Sequence, residues 1–404
     1  MADPASVLIV DDSRCFRAAI EEALAGEPDL RVVGSVFSGE KALELIDHNP
    51  PQIVTLDVDM PGMDGLQTLQ AIQARNASLP TGQAIGVLMV SGLTHRGADI
   101  TMQALRMGAF DFMTKPSGDC YETCLAELRR QLTSKIRAYL AKRHQRPQPP
   151  RHDPVHDEPS RHQHPQPPRP RPQRPRPGLV HEEPSGDAPS IAKQRSVVDF
   201  GDLSIWGRRR AVRVILIASS TGGPRALDEL LPDLCQRTSL PILIVQHLPP
   251  MFTTSLAEQL QRHLDRPVHE AADQELIQPQ HVYIAPGGRH LVVRASQGSL
   301  YTGLSDDPPE NHCRPSANRL FRTAAGAVGA GTVAIILTGM GNDGTLGLSP
   351  LKRAGAHVIV QDEASSVVWG MPGSVVAAGL ADQIKPLHQI AEAVESVVRQ
   401  REGR

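Results

Sequence analysis

Short apolar runs recur through the first part of the chain at residues 7–10, 31–36, 53–56, 85–90 and around 110–113. Between them, residues 15–25, 41–46 and 101–107 carry apolar side chains at helical spacing. Short strands alternating with helical stretches predict parallel strands joined by helical crossovers, hence a doubly wound α/β sheet. The same alternation resumes in the last part of the chain. Runs at 212–217, 241–245, 281–285, 332–337 and 357–360 read as buried strands, and 226–231, 255–264 and 390–399 as helices. The chain is therefore expected to hold two such domains, over residues 5–141 and 205–400.

Between these patterns the periodicity stops. Fourteen of the 35 prolines fall between Pro147 and Pro189, interleaved with arginines, and the six histidines His144, His152, His156, His162, His164 and His181 lie in or beside the stretch. Proline removes backbone donors and apolar residues are sparse, so residues 142–204 are expected to be a long disordered linker with polyproline II character. On the order of 60 flexible residues span roughly 40–45 Å, and a tether of that length weakens docking between the domains it joins.

Charge and composition exclude more than they identify. Lys plus Arg total 42 against 44 for Asp plus Glu, and aromatics make up 3%. That balance gives no footing for a nucleic-acid partner or for membrane insertion, and no apolar stretch approaches the ~20 residues of a span. A cytoplasmic protein is expected. The five cysteines show neither a disulfide framework nor zinc spacing, and Cys120 and Cys124 read as one face of a helix.

In an open parallel sheet, ligands collect beyond the carboxyl ends of the strands. That rule gathers Asp11 and Asp12 after the first strand, Asp57 after the third, Ser91 after the fourth and Lys115 beyond the fifth. Three converging carboxylates repel one another unless a divalent cation neutralises them, and an all-oxygen set suits Mg2+. Taken singly, each such aspartate reads as a helix cap.

In the last domain the same rule gathers Ser220, in Ala218-Ser219-Ser220-Thr221-Gly222-Gly223-Pro224, with His247 and Asp343. Ser220 stands where a strand turns into a helix, as in a nucleophile elbow, although Ala218 replaces the first glycine of that motif. Alone, this turn serves equally to cradle a phosphate. A serine, a histidine and a carboxylate at one sheet edge form the set that a triad requires.

The motifs Val10-Asp11-Asp12-Ser13, Leu56-Asp57 through Asp64-Gly65, Ser91 and Lys115-Pro116 resemble the receiver domain of bacterial response regulators over residues 5–130. The resemblance implies a flavodoxin-like fold in which Asp57 accepts phosphate from a histidine kinase. Asp11 and Asp12 would then hold Mg2+ with Asp57, and Ser91 and Lys115 would read the phosphorylated state. Asp59 and Asp64 are left to shape the loop.

Ser220-Thr221-Gly222-Gly223-Pro224, Gln246-His247-Leu248-Pro249-Pro250, Tyr283 through Gly287, Leu337 through Gly344 and Trp369-Gly370-Met371-Pro372 resemble the catalytic domain of chemotaxis protein-glutamate methylesterases over 212–398. That resemblance implies a Rossmann-like serine hydrolase with Ser220 as nucleophile, His247 as general base, Asp343 as orienting carboxylate and the Met340 N–H in the oxyanion hole. It implies no cofactor in this domain. The expected substrates are γ-methyl glutamyl esters on the cytoplasmic helices of chemoreceptors, with glutamine deamidation as a second activity. It also implies that the unphosphorylated receiver covers the hydrolase site. Two other readings stand beside this one: a signalling adaptor with an inactive hydrolase fold, and a nucleotide-binding domain using Ser220–Gly223 as a phosphate loop. The second lacks a P-loop lysine.

Overall fold

A computed structural model describes residues 3–80, 83–118, 120–145 and 211–403. The linker expected over 142–204 falls almost wholly outside them. Among the described residues, no helix is long and apolar enough to cross a membrane.

The first sheet holds β1 (Ala5–Val10), β2 (Leu30–Val36), β3 (Ile53–Asp57), β4 (Gly86–Ser91) and β5 (Asp111–Thr114) in the order β2-β1-β3-β4-β5. All its pairings are parallel. Helices α1 (Arg14–Leu24), α2 (Gly39–His48), α3 (Gly65–Asn76), α4 (His95–Arg106) and α5 (Tyr121–Gln145) supply the crossovers and close the sheet. Alternate residues of β1 feed two different cores, Leu8 and Val10 one face, Val7 and Ile9 the other. That is why the run reads as continuously apolar. Cys120 precedes α5, and its carbonyl accepts from Cys124 N, so the two cysteines mark the helix start.

The second sheet has seven strands. These are β6 (Val214–Ser219), β7 (Ile242–Gln246), β8 (Val268–Glu270), β9 (Val282–Ile284), β12 (Thr332–Ile336), β13 (His357–Gln361) and β14 (Gln383–Lys385). Their order is β14-β13-β12-β6-β7-β9-β8, again wholly parallel. Helices α6 (Gly223–Arg237), α7 (Phe252–Gln261), α8 (Ala317–Ala327), α9 (Thr345–Arg353), α10 (Gly370–Ala377) and α11 (Ile390–Glu402) pack around it. The edge strands β8 and β14 are three residues each, too short to leave a hydrophobic signature. A separate antiparallel hairpin, β10 (His290–Ser296) with β11 (Ser299–Ser305), turns at Gln297-Gly298. Both turn residues have positive φ, as a two-residue hairpin loop demands.

The receiver-like domain lies against the second domain through α4, β5 and α5. Arg106 Nε sits 2.9 Å from Asp228 Oδ2, and its Nη1 is 2.6 Å from His263 Nε2. Phe112 stacks on Phe252 with ring centroids 4.7 Å apart, and the two belong to one apolar cluster that spans both domains. Asp111, almost fully buried, holds both Lys135 Nζ and Thr221 Oγ1 at 2.6 Å.

Helices α8 and α9 touch with no room to spare. Asn318 Oδ1 accepts from Gly344 N at 3.1 Å and from Gly347 N at 2.7 Å. A Cβ on Gly347 would fall 2.4 Å from the Asn318 carbonyl oxygen. Gly347→Ala is therefore expected to lower stability by about 1–3 kcal/mol, its better helix propensity notwithstanding. Urea denaturation of the full chain measures the loss.

Candidate functional site

Both clusters expected at the strand ends assemble, each at the carboxyl edge of its own sheet. In the first, Asp11, Asp12 and Asp57 present oxygens that all lie within 4.8 Å of one another. Lys115 Nζ lies 2.8 Å from both Asp11 Oδ2 and Asp57 Oδ2, and also sits over the Phe16 ring. Burial pushes the Asp57 carboxyl up to about 6, with the Asp11 charge adding to it and Lys115 opposing. Burial works against the Lys115 ammonium, but its hydrogen bonds to Asp11 and Asp57 outweigh that and hold it above its usual range. Three carboxylates against one ammonium leave an excess of negative charge. A divalent cation with oxygen ligands fits that donor set.

Ser91 is fully buried, and its Oγ donates to the Gly92 carbonyl at 3.1 Å. Asp64 caps α3 in a reciprocal capping box with Gln67, which is the loop-shaping role expected of it.

In the second cluster, Asp343 is the centre. Its Oδ2 is 2.8 Å from His247 Nε2 and accepts from Ala317 N at 2.6 Å. Its Oδ1 accepts from Ser316 Oγ at 2.7 Å and Asn318 N at 3.2 Å. The carboxylate thus sits at the N-terminus of α8, where unpaired N–H groups favour negative charge. Burial pushes this carboxyl up, but the hydrogen bonds from His247, Ser316 and Ala317 win and hold it below its ordinary value. Burial pulls the His247 imidazole down. Its bond to Asp343 and the contact with Cys313 outweigh that and push it up to about 10.

Ser220 directly follows β6 and precedes α6, whose N-cap Gly222 is left-handed at φ 77°. Gln246 secures the turn: its Nε2 donates to the Ser220 carbonyl at 2.9 Å, and its Oε1 accepts from Ser219 Oγ at 2.6 Å. Ser219 is wholly buried in this bond and so offers no competing hydroxyl. Ala218 is a fully buried strand residue that packs into the core.

Ser220 and His247 line one cavity of about 150 Å³ whose opposite wall is the receiver, including Asp111, Phe112, Gln131 and Lys135. Among the described residues no hydrogen bond joins Ser220 Oγ to His247. The imidazole Nδ1 instead lies 3.7 Å from Cys313 Sγ. Met340 stands in the turn after β12, and Ser134 of α5 donates to its Sδ at 3.1 Å.

Sequence reasoning missed Ser316, Gln246, Cys313 and the Thr221–Asp111 pair. Gln246 directly precedes His247, and Ser316 is the N-cap of α8, so two of the four carried a local signal.

Residues 215–394 match the CheB methylesterase family and residues 7–120 the response regulator receiver domain family. A protein-glutamate methylesterase/protein-glutamine glutaminase of Nitrobacter winogradskyi is 38% identical over 411 residues, which covers 96% of this chain and 93% of that protein. One from Rhodopseudomonas palustris is 38% identical over 392 residues, with 96% and 92% covered. Among solved structures, the CheB methylesterase catalytic domain of Thermotoga maritima is 41% identical, covers 46% of this chain and 100% of its own, and has a TM-score of 0.45. With relatives this similar matching along nearly their whole length, the chain belongs to the family of chemotaxis response regulators that join a receiver domain to a CheB-type methylesterase domain.

Proposed function

We propose that the chain is a protein-glutamate methylesterase and protein-glutamine glutaminase of chemosensory adaptation, with Ser220, His247 and Asp343 as its triad. Residues 5–141 form the receiver, 142–204 the linker and 205–400 the hydrolase. The carrying observation is that Ser220 and His247 line one cavity while Asp343 holds the far nitrogen of the imidazole.

Asp343 commits Nε2, so Nδ1 is the nitrogen that serves as base in the neutral form of the imidazole, the minor form at neutral pH and one that grows as pH rises toward 10. Ser220 Oγ attacks the ester carbonyl and its proton passes to Nδ1. Collapse of the tetrahedral intermediate expels methoxide, which takes that proton back and leaves as methanol. Water then attacks the acyl-enzyme, gives a proton to His247, and Ser220 is regenerated with a free glutamate. A glutamine amide follows the same course with ammonia as leaving group, and there the proton from His247 is indispensable. The position of Ser220 at the start of α6 favours the developing oxyanion. Gly339 supports the role of the Met340 N–H as a second donor. Even a Cβ at Gly339 would lie 2.9 Å from the Ser220 Cβ, so this bare backbone runs directly beside the nucleophile.

The substrate is a methylated helix of a chemoreceptor's cytoplasmic region, and the phosphodonor is a histidine kinase acting on Asp57. Asp11, Asp12 and Asp57 would hold Mg2+. Bound there, the ion would offset the charge of the incoming phosphoryl group. Lys115, already paired with Asp11 and Asp57, and Ser91, at the end of the neighbouring strand β4, would read the phosphorylated state. In the docked arrangement the receiver walls the cavity, so a receptor helix cannot reach Ser220. Lys115 directly follows β5, the strand whose Asp111 and Phe112 contact the hydrolase. A change at Asp57 therefore has a path of one short strand to the docking surface.

Ser220→Ala is expected to abolish methanol release from methylated receptor fragments while leaving the fold intact. Ser219→Ala should keep most activity and lose about 1–3 kcal/mol of stability, because it strands the buried Gln246 Oε1. The opposite ranking would exchange the two roles.

Asp57→Asn should leave the rate at its basal level whatever phosphodonor is supplied, and should take up no phosphate from labelled acetyl phosphate. Arg106→Ala removes the contacts to Asp228 and His263 at the partly exposed rim of the interface. Docking should weaken by about 1 kcal/mol, so that basal methanol release rises up to roughly fivefold while the phosphodonor-stimulated rate stays the same.

A further inference from the structure

We propose that His247 and Cys313 together form a site for a thiophilic divalent cation, zinc foremost, and that the bound cation switches the hydrolase off. The inference rests on the reading of His247 as general base.

Two features of the geometry carry it. The first is spacing. Zinc binds a thiolate at roughly 2.3 Å and an imidazole nitrogen at roughly 2.0–2.1 Å, so tetrahedral angles place the two ligand atoms roughly 3.5–3.6 Å apart. Cys313 Sγ and His247 Nδ1 are 3.7 Å apart. The second is tautomer. Asp343 Oδ2 engages Nε2 at 2.8 Å, which leaves Nδ1 as the nitrogen that faces the sulfur, and a metal binding there displaces any proton it carries. A carboxylate on the remote nitrogen is the arrangement that orients metal-binding histidines and raises their basicity.

A cation there has a defined chemical effect. Coordination releases the thiol proton to solvent and occupies the Nδ1 lone pair, the one that must accept the Ser220 proton. The remaining positions on the metal go to water. Arg130 of α5 is near enough to Cys313 for the two to interact electrostatically, but Glu127 pairs with it and offsets its charge.

The test uses the full chain with acetyl phosphate present. Cobalt(II) reports ligand identity: the near-ultraviolet thiolate-to-cobalt band should appear in the wild type. It should vanish in Cys313→Ser, which retains Cys15, Cys120, Cys124 and Cys235. Micromolar zinc should lower methanol release, EDTA should restore it, and Cys313→Ser should need roughly tenfold more zinc for the same fractional loss, each variant scaled to its own metal-free rate. Absence of the band in the wild type, its persistence in Cys313→Ser, or equal zinc sensitivity of the two proteins overturns the proposal. A Cys313-dependent band with undiminished methanol release overturns it as well. His247→Gln, assayed alongside, separates that failure from a wrong triad: loss of activity in it leaves the base assignment standing.

Discussion

The hydrolase half of this protein depends on where one carboxylate is held. Asp343 collects hydrogen bonds from His247, Ser316 and the first N–H groups of α8, and has no freedom left. A buried carboxylate needs that many partners to remain ionised. The same set ties the turn after β12 to α8, and Asn318 continues the tie by accepting from Gly344 and Gly347. The tautomer of His247 and the register of α9 thus follow from one charge.

The receiver half is governed by a different balance of charge, in which three aspartates gather at one lysine that pairs with two of them. That donor set suits a divalent cation, and β5 lies directly beside it. Strand β5 is four residues, about 13 Å at 3.3 Å per residue. Lys115 lies beyond one end, and Asp111 at the other end holds Thr221, the neighbour of Ser220. The two candidate sites are therefore separated by little more than a single strand.

Much of this was legible in the residues. Parallel strands buried on both faces leave continuous apolar runs, and the strand-end rule then places Asp11, Asp57, Ser220, His247 and Asp343 without coordinates. Edge strands β8 and β14 escaped because three residues carry no periodicity. The interface escaped because Arg106 and Asp228 read as ordinary surface charges, and Phe112 and Phe252 as ordinary core. Cys313 escaped because it lies 66 residues from His247, and ligand spacing is read only over short intervals. Residues at strand ends announce themselves in sequence however far apart they lie, whereas Cys313, away from any strand end, does not.

Thr221 serves two masters. It sits between Ser220 and the helix that follows, and its hydroxyl donates to Asp111 of the receiver at 2.6 Å. Its carbonyl accepts from Thr338 Oγ1 within the second domain, so one residue ties the turn beside Ser220 both to its own sheet and to the neighbouring domain. A substitution here alters both ties at once.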